Sequence, residues 1–419
     1  MTKESREIQL IEKLSLKKFK LNALLEITTA INENTPKEEL LDLYSSILIE
    51  DLDIEKIALF YKDKEWSCIL KNGITPVIEN IDVEKRLASY KEISIVEPSD
   101  DTIINEFEVI IPVYHKNNPL AYLMIGDFSD DPKAINQTGA IEHMPFIQTL
   151  TNIIIVAIEN KRLANEAIEQ AKVRKELEFA SEMQEMLFPR DLPNNDKLEA
   201  AGYHQPHNLV GGDYYDFIEI SETEFVFCIA DVSGKGVSAA LLMANFQANM
   251  KAIIAKHYYF TMSDMVQDLN TKVMESAKGE KFITFFVAYF DFKTGILKYI
   301  NAGHNPPVLL TKDKTELLEK GCTGLGMFDT IPDVDVGILE LDTDTLIQGY
   351  TDGIVEQENE EGEFYDLDRL KKLLRTHVDK SCTSINDEIL KDIERFKGAT
   401  EYSDDLTLLN CKIKIGSNY

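Results

Sequence analysis

Between Asn152 and Leu187 the chain contains neither glycine nor proline, and Pro189 closes the stretch. A run of that length without a breaker is expected to form one long helix. A long helix persists in water only when its apolar stripe is buried against something. Here the stripe is thin and irregular: Ala157, Ala164, Ile168, Ala171, Leu177 and Ala180, with Lys161 and Arg174 breaking any strict heptad. Two readings stay open, a solvated connector or a short parallel coiled coil that joins two copies into a homodimer. Either way the helix divides the 419 residues into a module at 1–151, a helical linker at 152–187 and a second module at 188–419.

The first module begins with a helical pattern over residues 1–35 (Ile8, Ile11, Leu14, Leu21, Leu24, Leu25, Ile31). A second helix follows, with Thr35 as the expected N-cap, Pro36 as the first helical residue, and Leu40, Leu41, Tyr44, Ile47 and Leu48 as its stripe. KIALFYKD and EWSCIL then read as strands. EFEVIIPVYHKNNPLAYLMIGDF reads as a hairpin turning through His115–Pro119, and a further helix starts near Glu142. The expectation is an α+β module.

The second module has another rhythm. EFVFCIA, FITFFVAYFD, ILKYINAG, PVLL, GILELD, TLIQGYTDG and LTLLNCKIKI are strand-like, and several are continuous apolar runs suited to strands covered on both faces. Helices are expected at about 237–257, 262–277, 366–377 and 383–396. Strand clusters separated by helix pairs predict an α/β/β/α sandwich, so the whole chain is α+β in class.

Lys and Arg number 44 against 73 Asp and Glu, a formal charge of 44 − 73 = −29. Such a chain repels phosphate backbones and anionic lipid, which speaks against nucleic-acid or membrane partners. Apolar runs such as Ile153 to Ile158 are too short to span a bilayer, and the first twenty residues are too charged for a signal-peptide core. The five cysteines are scattered and form no CxxC pair, so neither a disulfide framework nor a thiolate zinc site is expected, and a cytoplasmic location is the simplest.

Four aspartates share one situation. Asp213 follows a Gly-Gly turn in VGGDYYDF, Asp231 ends the strand EFVFCIA and opens DVSGKG, Asp352 follows TLIQGY, and Asp404, beside Asp405, precedes the last strand. That strand is expected to alternate Leu409, Cys411, Ile413 and Ile415 with Asn410, Lys412 and Lys414. In an antiparallel sheet one strand's end lies beside its neighbour's start, so Asp231, Asp352 and Asp404 can converge at one sheet edge. Converging carboxylates are driven toward protonation unless a cation neutralises them, and oxygen-only donors suit Mg²⁺ or Mn²⁺. Two such ions can activate a bridging water for phosphoester hydrolysis. The alternative is that these are ordinary turn residues in an acid-rich chain.

The segments ASEMQEMLFP (180–189), VGGDYYDF (210–217), ADVSGKG (230–236), NAGHNPP (301–307), YTDGIVE (350–356) and SDDLTLL (403–409) together resemble the metal-dependent 2C-type Ser/Thr phosphatases. The similar branch is the bacterial one of the stage II sporulation phosphatase and the sigma-B regulators. The resemblance implies that Asp231 bridges two Mn²⁺ or Mg²⁺ ions and positions the attacking water, with the Val232 carbonyl as a further ligand. Asp213 would complete one ion's shell, and Asp352 and Asp404 the other's. Asp405 and Gly353 would support from behind. A phosphorylated STAS-like anti-sigma-factor antagonist in a partner-switching pathway is the implied substrate. Where eukaryotic members carry Gly-His after the bridging aspartate, this chain has Val232 and Ser233, so the general acid is unassigned. Residues 15–160 resemble a GAF domain in element order, which implies a small-molecule ligand or dimerisation. Cys68, His115 and His143 form no evident haem, bilin or metal set.

His304 is read as a turn histidine bracing its loop. His204 and His207 in YHQPH are read as a solvated loop in preference to a metal pair, since Pro206 separates them. DVSGKG lacks the GxxxxGK[ST] spacing of an NTPase loop. Two other function classes stay open, a catalytically silent partner-binding module and a GAF-linked nucleotide cyclase.

Overall fold

The strand run KIALFYKD is apolar at nearly every position because both of its faces are covered. The computed structural model, which describes residues 3–97, 100–128, 137–256 and 261–415, divides into two units, Met1–Ala171 and Lys172–Tyr419. In the first, α1 (Lys3–Asn32) and α2 (Lys37–Ser46) precede β1 (Ile54–Lys62) and β2 (Trp66–Asn72). Next come α3 (Pro76–Glu79), α4 (Val83–Leu87), β3 (Ser94–Ile95), β4 (Val109–His115) and β5 (Asn118–Phe128), and then α5 (Gln137–Glu185). The antiparallel sheet has the order β2-β1-β5-β4-β3. Ile57, Leu59 and Tyr61 of β1 pack with Ile27, Tyr44, Ile147 and Ile154 from the long helices. Ala58 and Phe60 point the other way, against Ile78 and Leu87. The Thr151 hydroxyl of α5 donates to the Ile147 carbonyl at 2.6 Å and accepts from Tyr44 at 2.6 Å, which locks α2 to α5.

Three local expectations shift. Pro36, not Thr35, is the N-cap of α2, and no side chain caps it. The hairpin closes on two residues, Lys116 and Asn117, because His115 pairs with Asn118 and Lys116 takes the left-handed backbone (φ 55°). The helix expected near Glu142 and the one expected from Asn152 are a single element that starts at Gln137 and carries Pro145 inside it.

The second unit adds β6 (Leu198–Gln205), β7 (Tyr214–Glu219), β8 (Glu224–Val232), α6 (Val237–Ile254), α7 (Met262–Ala277), β9 (Ile283–Asp291) and β10 (Ile296–Ala302). It continues with β11 (Val308–Leu310), β12 (Thr315–Leu317), β13 (Gly321–Cys322), β14 (Gly337–Glu340) and β15 (Thr345–Tyr350). The chain then forms α8 (Asp352–Val355), α9 (Leu367–His377), α10 (Cys382–Lys397) and β16 (Leu406–Ile413). One sheet runs β13-β10-β9-β8-β7 with β14 beside β10, and the other runs β12-β11-β15-β16-β6. Between them lie Phe225, Phe227, Ile229, Ile347, Leu409 and Cys411. Outside the first sheet, α6 and α7 bury Met243, Phe246 and Leu269 on Val226 and Cys228. Outside the second, α9 and α10 bury Leu374, Ile385 and Ile389 on Leu346 and Leu408. The four layers make an α/β/β/α sandwich.

The expected alternation of β16 fails at Asn410, which is fully buried and donates to the Cys382 carbonyl at 2.9 Å and to Asn386 at 3.1 Å. His257, the expected end of the helix at 237–257, lies outside the described residues, and α6 itself ends at Ile254. No helix among the described residues is long and apolar enough to cross a membrane.

Candidate metal centre

Each sheet of the sandwich delivers two aspartates to the same rim. Asp213 stands just before β7, and Asp231 lies near the end of β8, whose Ala230 pairs with Tyr214. Asp352 opens α8 directly after β15, and Asp404 stands just before β16, whose Leu408 pairs with Tyr350. The strand-end to strand-start rule therefore holds inside each sheet. The expectation of one sheet edge for Asp231, Asp352 and Asp404 is corrected: β8 belongs to one sheet, β15 and β16 to the other.

The carboxylates feel one another. Burial, then Asp231 and Asp405, hold the Asp213 carboxyl well above the usual range. Burial, then Asp352 and Asp404, push Asp231 up to about 7, with Asp213 in hydrogen-bonding reach. Burial and Asp404 raise Asp352. Two hydroxyls from the opposite sheet hold one Asp213 oxygen, Thr351 Oγ1 at 2.8 Å and Thr407 Oγ1 at 2.5 Å. Since Thr407 donates its proton to Asp213, it accepts from His204 Nδ1, 3.0 Å away.

Asp405 faces the loop behind the rim. Its carboxylate accepts from the backbone N–H of His207 at 2.7 Å and of Gly212 at 2.8 Å. Gln184, near the end of α5, clamps the same loop, donating to the Gly211 carbonyl at 2.7 Å and accepting from the Gly211 N–H at 3.1 Å. The Val232 carbonyl belongs to the last residue of β8, next to Asp231.

His304 is buried, accepts no role at the rim, and sits where the bracing expectation placed it. Its backbone N–H donates to Asn301 Oδ1 at 2.7 Å, and its ring Nδ1 lies 2.9 Å from Thr284 Oγ1, on the residue paired with Asp231. Burial depresses its imidazole to about 4. An unfolded histidine takes its proton near pH 6.5, so the folded state resists protonation between 6.5 and 4 and loses stability as pH falls through that window. His304 alone should contribute about 3 kcal/mol to that loss. Urea midpoints of His304→Gln should therefore fall less steeply below pH 6.5 than those of the parent chain.

His204 corrects the solvated-loop expectation. It lies in β6, stacks on Phe188 with ring centres 4.6 Å apart, and burial lowers it to about 4. His207 contributes its backbone N–H to the Asp405 carboxylate. Thr351, Thr407 and Gln184 were not singled out from sequence, because threonine at a strand end and glutamine in a helix are too common to signal anything.

Among the described residues no three or more His, Cys, Asp or Glu side chains are already drawn together as a metal cage. The donor chemistry nevertheless fits divalent cations. It is all oxygen, and three of the four carboxyls are pushed toward protonation, the imbalance a cation relieves.

Residues 221–414 match the family model for stage II sporulation protein E (SpoIIE). Phosphoserine phosphatase RsbU of Bacillus subtilis (strain 168) is 26% identical over 248 residues, 59% of this chain and 72% of RsbU. Phosphoserine phosphatase RsbP of the same organism is 25% identical over 245 residues, 58% of either chain. Among solved structures, the SiaA-PP2C domain of Pseudomonas aeruginosa is covered in full by 60% of this chain, with a TM-score of 0.53 and 18% identity, a likeness of fold.

Proposed function

We propose that this chain, whose C-terminal unit carries a SpoIIE-type PP2C phosphatase domain, is a metal-dependent hydrolase of phosphoserine or phosphothreonine on a partner protein. The observation that carries the reading is the meeting of Asp213, Asp231, Asp352 and Asp404 from two sheets, with carboxyls that repel one another. Asp213, Asp231, Asp352, Asp404 and the Val232 carbonyl would hold two Mn²⁺ or Mg²⁺ ions. When bound, such ions lower the pKa of a coordinated water and offset charge on a phosphoryl oxygen.

The chain's own groups do the rest. Thr351 and Thr407 fix the rotamer of Asp213 by donating two hydrogen bonds to one of its carboxylate oxygens. Asp405 and Gln184 hold the Gly211–Gly212 loop, which sets where Asp213 stands. His304 is buried and turned to Thr284, which suits a bracing role better than that of proton donor to the leaving alkoxide. Asp231 keeps the role of positioning the attacking water.

The substrate class we favour is a phosphorylated STAS-like anti-sigma-factor antagonist, in keeping with the phosphoserine phosphatases RsbU and RsbP. Residues 1–151 are read as a GAF-like sensor acting through the helix at 152–187, supported by a five-stranded antiparallel sheet with helices on both faces. A homodimer is supported by the large apolar side chains that α5 exposes, Leu163, Ile168, Val173, Phe179 and Met183. A monomeric mass in light scattering at micromolar concentration would remove it.

The direct experiment is phosphate release from a phosphoserine peptide with Mn²⁺, with Mg²⁺ and with EDTA. Release only with metal is expected. Mn²⁺ uptake without release would favour the silent binding module instead.

A further inference from the structure

Of the sequence segments singled out above, DVSGKG leaves one residue without a role, the lysine. Lys235 sits between two glycines with left-handed backbone, Gly234 (φ 83°) and Gly236 (φ 75°), in the turn that leads from Asp231 into α6. That turn carries its ammonium across to the other sheet's half of the rim. Lys235 Nζ lies 2.8 Å from Asp404 Oδ2 and donates to the Ser403 carbonyl at 2.6 Å. Its charge also lowers Asp352, against the pull of burial and Asp404. One ammonium thus faces both carboxylates that the second sheet contributes.

The strength of this contact decides what it can do. Asp216, 2% exposed, pairs with Lys251 at 2.9 Å and can lose its partner only at high cost. Lys235 and Asp404 are 46% and 35% exposed, so water screens their attraction and the pair is weak. A weak pair on a carboxylate that also belongs to a strongly acidic cluster is exchangeable.

We propose that Lys235 is a built-in counter-cation that occupies Asp404 in the metal-free protein and competes with a divalent ion for it. The inference rests on the metal-centre reading above. One of the carboxylates assigned to the metal centre is thereby paired with an ammonium. Displacement of Lys235 is then part of metal uptake, and the measured affinity is the intrinsic one reduced by the lysine's hold.

The test is calorimetric titration of the full chain, freed of metal, with MnCl₂, for the parent, Lys235→Gln and Lys235→Arg. Lys235→Gln should bind Mn²⁺ about two- to fivefold more tightly, the range that an exposed pair allows. Lys235→Arg, which keeps the charge, should stay within about twofold of the parent. Metal-free Lys235→Gln should melt below the parent, so that Mn²⁺ raises its melting temperature further. A merely structural lysine would give weaker, not tighter, binding when removed. Equal or weaker Mn²⁺ binding by Lys235→Gln overturns the competition while leaving the metal centre standing. No Mn²⁺ uptake by the parent overturns both.

Discussion

Asp231→Asn should lower phosphate release by at least about a thousandfold and, at the same time, make the metal-free protein more stable. The two effects have one cause. Asp231 lies among Asp213, Asp352 and Asp404, and burial with these neighbours lifts its carboxyl to about 7. The unfolded chain ionises it near 3.8, so the folded state holds a proton that the unfolded state has shed. Folded stability therefore falls as pH rises from about 3.8 to about 7, and above that the full penalty is present. Removing the charge returns part of it, and each recovered kcal/mol should raise the midpoint by about 2–4 °C in a unit of this size. The gain should be largest above pH 7 and vanish near pH 4. Thermal melts in EDTA at pH 8 and pH 4, beside Mn²⁺-dependent release of phosphate, check both signs. A variant that is inactive and also less stable at pH 8 would mean that Asp231 is structural.

The second large effect is expected at Gly353, the residue after Asp352. A Cβ there would stand 2.1 Å from the Asp405 carbonyl oxygen, 3.1 Å from its carbon and 3.3 Å from Asp404 Cβ. The obstacle is backbone, so nothing can rotate aside. Gly353→Ala must push the 403–405 segment away from α8, and with it Asp404 and the carboxylate that holds the Gly212 loop. We expect a cost of about 3 kcal/mol and loss of most Mn²⁺-dependent activity. Gly362→Ala is the control: its φ of 78° carries strain, but a Cβ there meets nothing within 4 Å. It should cost about 1 kcal/mol and leave activity alone. Chemical denaturation and activity on both variants separate steric displacement from backbone strain.

The strands most easily read from sequence are those buried on two faces. The run in β8 is apolar at consecutive positions because Phe225, Phe227 and Ile229 fill the gap between sheets while Val226 and Cys228 meet α6. β6 escaped notice for the opposite reason. Its LEAAGYHQ is small and polar because the neighbouring layer supplies the bulk: a Cβ on Gly202 would fall 2.2 Å from the Tyr215 ring. Asn410 misled the pattern because α10 brings Asn386 and the Cys382 carbonyl to satisfy it, a partnership between residues far apart in the chain. At the rim the aspartates were legible, since each closes or opens a strand beside a turn. Their division between two sheets was not, because strand order across a sandwich leaves no local trace. The hydroxyls of Thr351 and Thr407 were hidden for the same reason: they act on Asp213 from the other layer.

Because Asp213 and Asp231 ride on one sheet and Asp352 and Asp404 on the other, the four carboxylates form one cluster only when the two layers have docked. A chain folded only through β10 owns one pair of carboxylates, and the remaining pair arrives with β15 and β16. On the proposed metal-centre reading, an ion drawing donors from both layers would bind only the docked sandwich. Such an ion would favour the finished sandwich over partly folded chains, and a water activated there would be confined to molecules that have completed their fold.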